Sequence, residues 1–160
     1  MRRVVLSVAA LATLGVPATA SAQSSASADA SVSATVVAAL TLTNNSDLDF
    51  GTVGLNTVAT VAFTDAAAAN WLASGEANTP VTVTFPASIT LSNGPDDMTF
   101  TASMGSHAST QASASALNTG ASVNMDGSGN HQFWLGGSID TSGGISTGVY
   151  SGLFGLTVEY

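Results

Sequence analysis

From residue 32 onward the sequence is a succession of short runs in which apolar and polar residues alternate, each closed by turn formers. VTVTF is the clearest: Val81, Val83 and Phe85 share one face, Thr82 and Thr84 the other, and Pro86 ends the run. Successive side chains of a strand point to opposite faces, so a period of two marks a half-buried β-strand. No segment shows a sustained helical period. About nine such runs at close spacing predict an all-β fold: a single antiparallel β-sandwich of immunoglobulin-like type over residues 32–160.

The first run is the longest. In VSATVVAALTLTNN, Val32, Ala34, Val36, Ala38, Leu40 and Leu42 alternate with a second set, and Asn44-Asn45 closes it. Alanine also suits a helix, but the Val and Thr content favours a strand over residues 32–43. LDFGTV (48–53) reads as a brief strand, and Ala59, Val61 and Phe63 mark another. AAAANWL is either a helical turn or the way into a strand through Trp71 and Ala73. Ile89 and Leu91 form a strand closed by SNGPDD, and Met98, Phe100, Ala102 and Met104 form the next. Residues 105–120 are rich in Ser, Ala and Gly and read as a loop or weak edge strand. Val123 and Met125 enter DGSGN, a hairpin signal. Phe133, Leu135 and Ile139 follow, with Gly137 between them. The last strand carries Tyr150, Phe154, Leu156, Val158 and Tyr160.

The N-terminus reads as an export signal. Arg2 and Arg3 precede the apolar run Val4–Val16, and Ala20-Ser21-Ala22 offers a cleavage site before Gln23. Residues 1–22 are therefore expected to be a cleaved signal peptide, and the small polar residues 23–31 a flexible leader. The destination is the periplasm, the cell surface or the extracellular space. The run is too short for a spanning helix, which needs about 20 apolar residues.

Removal of that signal takes away the sequence's two cations and leaves ten acids, a net charge of about −10 against −8 for the whole sequence. A surface without Lys or Arg cannot displace counterions from phosphates, which excludes nucleic-acid binding. It is also repelled by anionic membrane surfaces. There is no cysteine, so disulfides, thiol catalysis and thiolate metal sites are excluded. Apolar burial and backbone hydrogen bonds must carry the stability. About 138 residues are enough for that in one domain.

Few residues suggest chemistry. His107 and His131 are the two histidines, and both lie in or beside turn-rich stretches. A Ser-His-Asp set can be drawn from so many serines, but nothing resembles a nucleophile elbow. No catalytic residue and no cofactor is assigned, and no enzyme activity is expected. Asn124, Asp126, Ser128 and Asn130, with Gly129 between the last two, echo the start of a calcium loop. Leu135 stands where its closing acid belongs, and the same letters suit a hairpin turn. Asp96-Asp97 reads as a solvated turn in the same way. Trp134 has the opposite parity to Phe133 and Leu135 and so points away from the core, which makes it a candidate ligand contact.

The order of these segments carries a resemblance: an alternating N-terminal strand, then LTNNSDLDFGTV, WLASGEAN, VTVTFPASITLSNG, a hairpin into FWLGGSI, and GVYSGLFGLTVEY. It resembles the bacterial secreted domains grouped as domain-of-unknown-function family 4402. These are distantly similar to spore coat protein U-type domains of archaic chaperone–usher pili. The best markers are Phe50-Gly51, Gly148-x-Tyr150 and Val158-x-Tyr160. The resemblance implies an exported, non-enzymatic, pilin-like β-domain. Coat-U-type subunits commonly carry cysteines, and this chain departs from them there.

Three functional expectations follow. In the first, the chain is a structural subunit of a fimbria or coat. Val32, Ala34, Val36, Ala38, Leu40 and Leu42 of one copy then fill a groove of the next, edged by Tyr150, Phe154, Leu156, Val158 and Tyr160. Its partners are copies of itself or a periplasmic chaperone. In the second, residues 32–43 return to their own sheet and the protein is a self-complete binding module of unknown ligand. The third is a small outer-membrane barrel, whose strands need about 9–11 residues each; most runs here are shorter.

Overall fold

The computed structural model describes residues 25–160. The expected signal peptide over residues 1–22 lies outside them. The chain divides into Met1–Ala34 and Thr35–Tyr160. Of the first unit, residues 25–34 form no regular element and are exposed. All strands lie in the second.

That unit is built of ten strands: β1 (Thr41–Ser46), β2 (Val58–Val61), β3 (Ala69–Ser74), β4 (Pro80–Thr84), β5 (Ser88–Ser92), β6 (Asp97–His107), β7 (Ser115–Leu117), β8 (Ala121–Asn124), β9 (Asn130–Asp140) and β10 (Thr157–Glu159). One 3-10 turn, Gln111–Ser113, interrupts them. Every pairing is antiparallel. A large sheet runs β1-β3-β9-β6-β5, with β2 added to β9 and β7 to β6. A small sheet runs β10-β4-β8. The fold is an all-β sandwich, as the alternation predicts. The large sheet's path is open from β1 to β5, whereas a barrel joins its last strand to its first. The barrel expectation is thereby corrected.

The core lies between the sheets. Val81 and Val83 of β4 face Ala73 of β3, Met104 and Phe100 of β6, and Phe133 and Leu135 of β9. Their buried–exposed alternation follows the sequence pattern in β4 and in the first half of β6. The long β9 is central and pairs with β3 and β2 on one side and β6 on the other. It is buried over most of its length on both faces.

Several boundaries differ from the sequence reading. The first strand is not 32–43 but Thr41–Ser46. It includes Asn44 and Asn45, with an irregularity between Asn44 and Ser46 where the pairing shifts. Asn45 is the residue left without a register partner at that irregularity, and its side-chain amide donates to the Asn70 side-chain oxygen across the pair, so the strand continues through it. Residues 48–53 form no strand. Leu48, Phe50 and Val53 still turn inward onto the core, so their alternation comes from one-sided burial. The last strand is only Thr157–Glu159, although Tyr150, Phe154, Leu156 and Val158 are all packed against the core. DGSGN is a tight turn, but β8 and β9 on its two sides belong to different sheets. It carries the chain across the sandwich and closes no hairpin.

Trp134 is also corrected. It points away from the inner face, as its parity predicts, yet it is only 5% exposed. It stands opposite Gly105 in register. The chain leaving β2 crosses that face over Gly136, whose missing side chain lets the carbonyl of Val61 and the amide of Phe63 lie against the backbone. The Phe63 ring then covers Gly105. Val61, Ala68, Trp134 and Phe63 form a second small core, so Trp134 offers no exposed platform.

Candidate functional site

The small sheet covers only part of the large one. Over the rest, two irregular segments stand in place of strands: residues 47–55 and residues 145–156. They wall a cleft of about 950 Å³ whose floor is Trp71, Leu91, Phe100, Leu135 and Ile139. Its floor is apolar and its rim carries polar groups such as Asn44, Asp47 and Thr52, which suits an occupant that lays apolar side chains on the floor.

Each wall is fixed by identifiable contacts. In the first, the Asp49 carboxylate accepts the amide of Gly51 at 2.7 Å, and Gly51 takes a φ of 62°, a conformation glycine adopts without strain. This turn drives Phe50 inward, edge-on to Phe100 at 6.0 Å between ring centroids. Phe50-Gly51, a sequence marker, is thus a turn and an anchor. The far end of the wall is stapled by Thr141, which is buried beyond the end of β9. Its hydroxyl accepts the amide of Thr57 at 3.0 Å and lies 2.8 Å from the Gly54 carbonyl and 2.9 Å from that of Thr57.

The second wall is held by the β5–β6 turn. Asp96 accepts both the amide and the hydroxyl of Ser146, the amide at 2.9 Å. The Ser146 hydroxyl and then its amide hold the Asp96 carboxyl below the usual carboxylate range. Asp96 is therefore a tether between turns. The Tyr150 hydroxyl donates to the Ser146 carbonyl. Ser151 exchanges backbone hydrogen bonds with Ser92 and so continues the large sheet past β5. Phe154 then enters the core among Trp71, Phe85 and Phe100. Between these fixed points Val149 and Leu153 stand 88% and 97% exposed at the mouth, joined there by Leu55.

The structure brings together Tyr150, Phe154 and the cleft. Leu156 and Val158 belong to the small sheet's end of the chain instead: Leu156 precedes β10, and Val158 lies in it and pairs with Val83. Tyr160 is exposed and turns its hydroxyl to Ala38 and Glu76. The six N-terminal residues separate into two groups. Leu40 and Leu42 pack on their own core. Val32, Ala34, Val36 and Ala38 are exposed, Val32 and Val36 to 93% and 91%.

Asn124, Asp126, Ser128 and Asn130 form the turn between the sheets. The Asp126 carboxylate accepts the amides of Asn130 and Ser128, each at 2.8 Å, and these bonds lower its pKa. The Asn130 side chain accepts the Ser74 hydroxyl. Among the described residues no group of three or more His, Cys, Asp or Glu side chains stands where it could hold a metal.

Both histidines serve local structure. Nδ1 of His107 accepts the amides of Ser109 and Thr110 at 3.1 Å. His131 is buried, its ring 5.2 Å from that of Phe133. Its Nδ1 lies 2.9 Å from the Asn124 carbonyl. A carbonyl only accepts, so Nδ1 carries the proton, and Nε2 is left buried without a partner. Burial lowers the pKa of this ring. The sequence pattern missed Thr141 and placed His131 beside a turn without its burial in β9, since a lone Thr or His carries no periodic signal.

No curated protein matches the chain. Residues 49–160 match the model of the family described as Domain of unknown function (DUF4402). The match takes in the first cleft wall from Asp49 onward, with Phe50-Gly51, the whole second wall and strands β2 to β10, well over half of the sequence, and the chain belongs to that family.

Proposed function

We propose that this is an exported, non-enzymatic structural subunit of a fimbria- or coat-like assembly, in which the N-terminal arm of one copy lies in the apolar cleft of the next. The observation that carries this reading is the pairing of two unsatisfied surfaces. One is the cleft with Leu55, Val149 and Leu153 exposed around it. The other is an exposed arm on which Val32, Ala34 and Val36 alternate with small polar or apolar residues. An extended peptide adds to a β-fold by backbone hydrogen bonds and places alternate side chains in pockets. No charged residue occurs between Asp29 and Asp47, so this arm can enter another acidic copy without bringing charge into its core. The resemblance read in the sequence to coat protein U-type pilus domains would imply the same arrangement. The partners are then further copies of the chain, and a periplasmic chaperone before assembly. Nucleic acid and anionic membranes are not partners, for want of cations. The site is the periplasm, the cell surface or the extracellular space.

A second reading is favoured by one observation: β1 pairs with β3 of its own chain, and Leu40 and Leu42 already lie on their own core. In that case the protein is a self-complete module whose cleft takes a separate ligand. Light scattering separates the two. Under the first reading the full chain forms oligomers, and V32D/V36D returns it to monomer without change in melting temperature, since both residues are exposed. A full chain that stays monomeric at every concentration rejects the first reading and leaves the second.

A further inference from the structure

We propose that Tyr160 and Glu76 form a latch on Ala38 that keeps the N-terminal strand in its own molecule and limits how much of it another copy can take. This rests on the assembly reading above and names how it is controlled. Three hydrogen bonds make the latch. The amide of Ala38 donates to Glu76 Oε2 at 2.9 Å. The Tyr160 hydroxyl donates to the Ala38 carbonyl at 2.8 Å. The same hydroxyl accepts the amide of Glu76 at 2.7 Å. Both backbone groups of one residue are thus held, by side chains and not by a neighbouring strand.

The location gives the latch its effect. Ala38 stands between a free stretch and a held one. Val36 and Val37 before it are exposed, and Leu40 after it is half-buried, with β1 beginning at Thr41. β1 is an edge strand with one neighbour, β3, and an irregular pairing at its far end. Edge strands with one partner open more readily than central ones. Gly75 makes the close fit possible. A Cβ there would overlap the Tyr160 hydroxyl and approach Leu40 Cδ1 to 2.9 Å. Opening the latch lengthens the apolar arm from Val36 to Leu42, and so adds Ala38, Leu40 and Leu42 to the alternating row a neighbour can bind.

The test uses the full chain and two readouts. The first is hydrogen exchange of the amides of Ala38 to Thr43. Y160F removes both the bond to the Ala38 carbonyl and the acceptor of the Glu76 amide, and the amides of Ala38 to Thr43 should exchange about tenfold faster or more, with β4 and β9 unchanged. E76A provides an independent variant that frees the Ala38 amide. The second readout is disulfide trapping between copies carrying V36C and copies carrying L153C, in a chain with no cysteine of its own. Y160F should raise the trapping rate about tenfold. Unchanged exchange in both variants overturns the latch, whatever the copies do. Faster exchange with a trapping rate equal to the parent's overturns its control of assembly and leaves the assembly reading intact. If neither parent nor variant is trapped, the assembly reading fails and the regulatory role falls with it, and the exchange data then report an intramolecular clasp alone.

Discussion

Phe154 meets Phe100 edge-on, with ring centroids 6.2 Å apart and the planes at 88°. Phe100 receives Phe50 in the same manner from the opposite wall. The two irregular walls of the cleft therefore share one anchor in β6, and Phe100 itself lies over Gly137 of β9, which has no side chain to obstruct it. Edge-to-face pairs of this kind contribute beyond their buried area.

Phe154→Ala should detach the second wall. Phe154 is half-buried and contacts three aromatic rings. Its removal should cost about 2–4 kcal/mol, at or below the usual range for a buried Phe because the side chain is partly exposed already. Urea unfolding measures that loss. Hydrogen exchange should show protection falling at Ser151, whose amide is bonded to Ser92, while the amides of β9 hold theirs relative to the lowered global stability.

Gly136→Ala tests the crossing that buries Trp134. The new methyl would collide with backbone: the Val61 carbonyl, the Ala62 carbonyl carbon and the Phe63 amide. Backbone cannot rotate away as a long side chain can, so the crossing chain must lift. The expected cost is about 1–3 kcal/mol, as for overpacking elsewhere. Tryptophan fluorescence gives the check, read in a Trp71→Phe background so that Trp134 alone reports. Trp134 should shift to the red in the folded variant as Phe63 withdraws. A blue-shifted spectrum equal to the parent's would show that the crossing segment is not what covers it.

The fold was legible where alternation and hydrogen bonding coincide. Val81, Val83, Met98 and Phe100 announce β4 and β6 because both sheets bury those faces and the backbone is paired on a neighbour. Alternation also appears at Leu48 and Phe50, and at Phe154 and Leu156, where no neighbour strand pairs the backbone. Periodicity reports which side chains are buried, not where amides are bonded, so these stretches read as strands and are walls. Trp134 shows the converse limit. Its direction follows from parity, but its cover comes from Phe63 on a distant segment, admitted by Gly136 of its own strand and Gly105 of β6, and no local pattern encodes that crossing. The same holds for DGSGN: turn chemistry is local, whereas assignment of β8 and β9 to separate sheets depends on distant pairing. Of the cleft, the apolar residues were visible and the enclosure was not.

Thr141→Val tests the staple of the first wall. Val preserves shape but removes the one hydroxyl that accepts the Thr57 amide and caps the carbonyls of Gly54 and Thr57. Thr141 is buried, so the Thr57 amide loses its acceptor where water reaches poorly, while the Gly54 carbonyl keeps the Thr57 hydroxyl and the Thr57 carbonyl keeps the Thr141 amide. A cost of about 1–3 kcal/mol is expected. Thr141→Ser restores the hydroxyl and should recover most of it. Equal stability of the Val and Ser variants would mean that the methyl, not the hydroxyl, does the holding.

His131 should make stability fall as the medium is acidified below neutrality. Burial lowers its pKa in the folded protein, with the Asn124 carbonyl and Asp126 partly opposing and His107 adding to the effect. In the unfolded chain the ring titrates near 6.5. The folded state therefore resists a proton that the unfolded state accepts. The contribution is complete above that unfolded value and declines as pH falls through it, levelling off once the lower folded pKa is passed. The geometry gives the reason: a second proton would sit on Nε2, which is buried and has no acceptor. The aspartates add nothing in this window. Asp96, Asp126 and Asp140 are lowered from 3.8 by their hydrogen bonds, so their support is lost only at more acid pH, as the folded form titrates. Urea midpoints measured from pH 8 to pH 5 should thus decline for the parent. His131→Gln, which can still donate to the Asn124 carbonyl, should flatten that decline even though it lowers stability at pH 8. A slope that survives in His131→Gln would refute the role given to the buried ring.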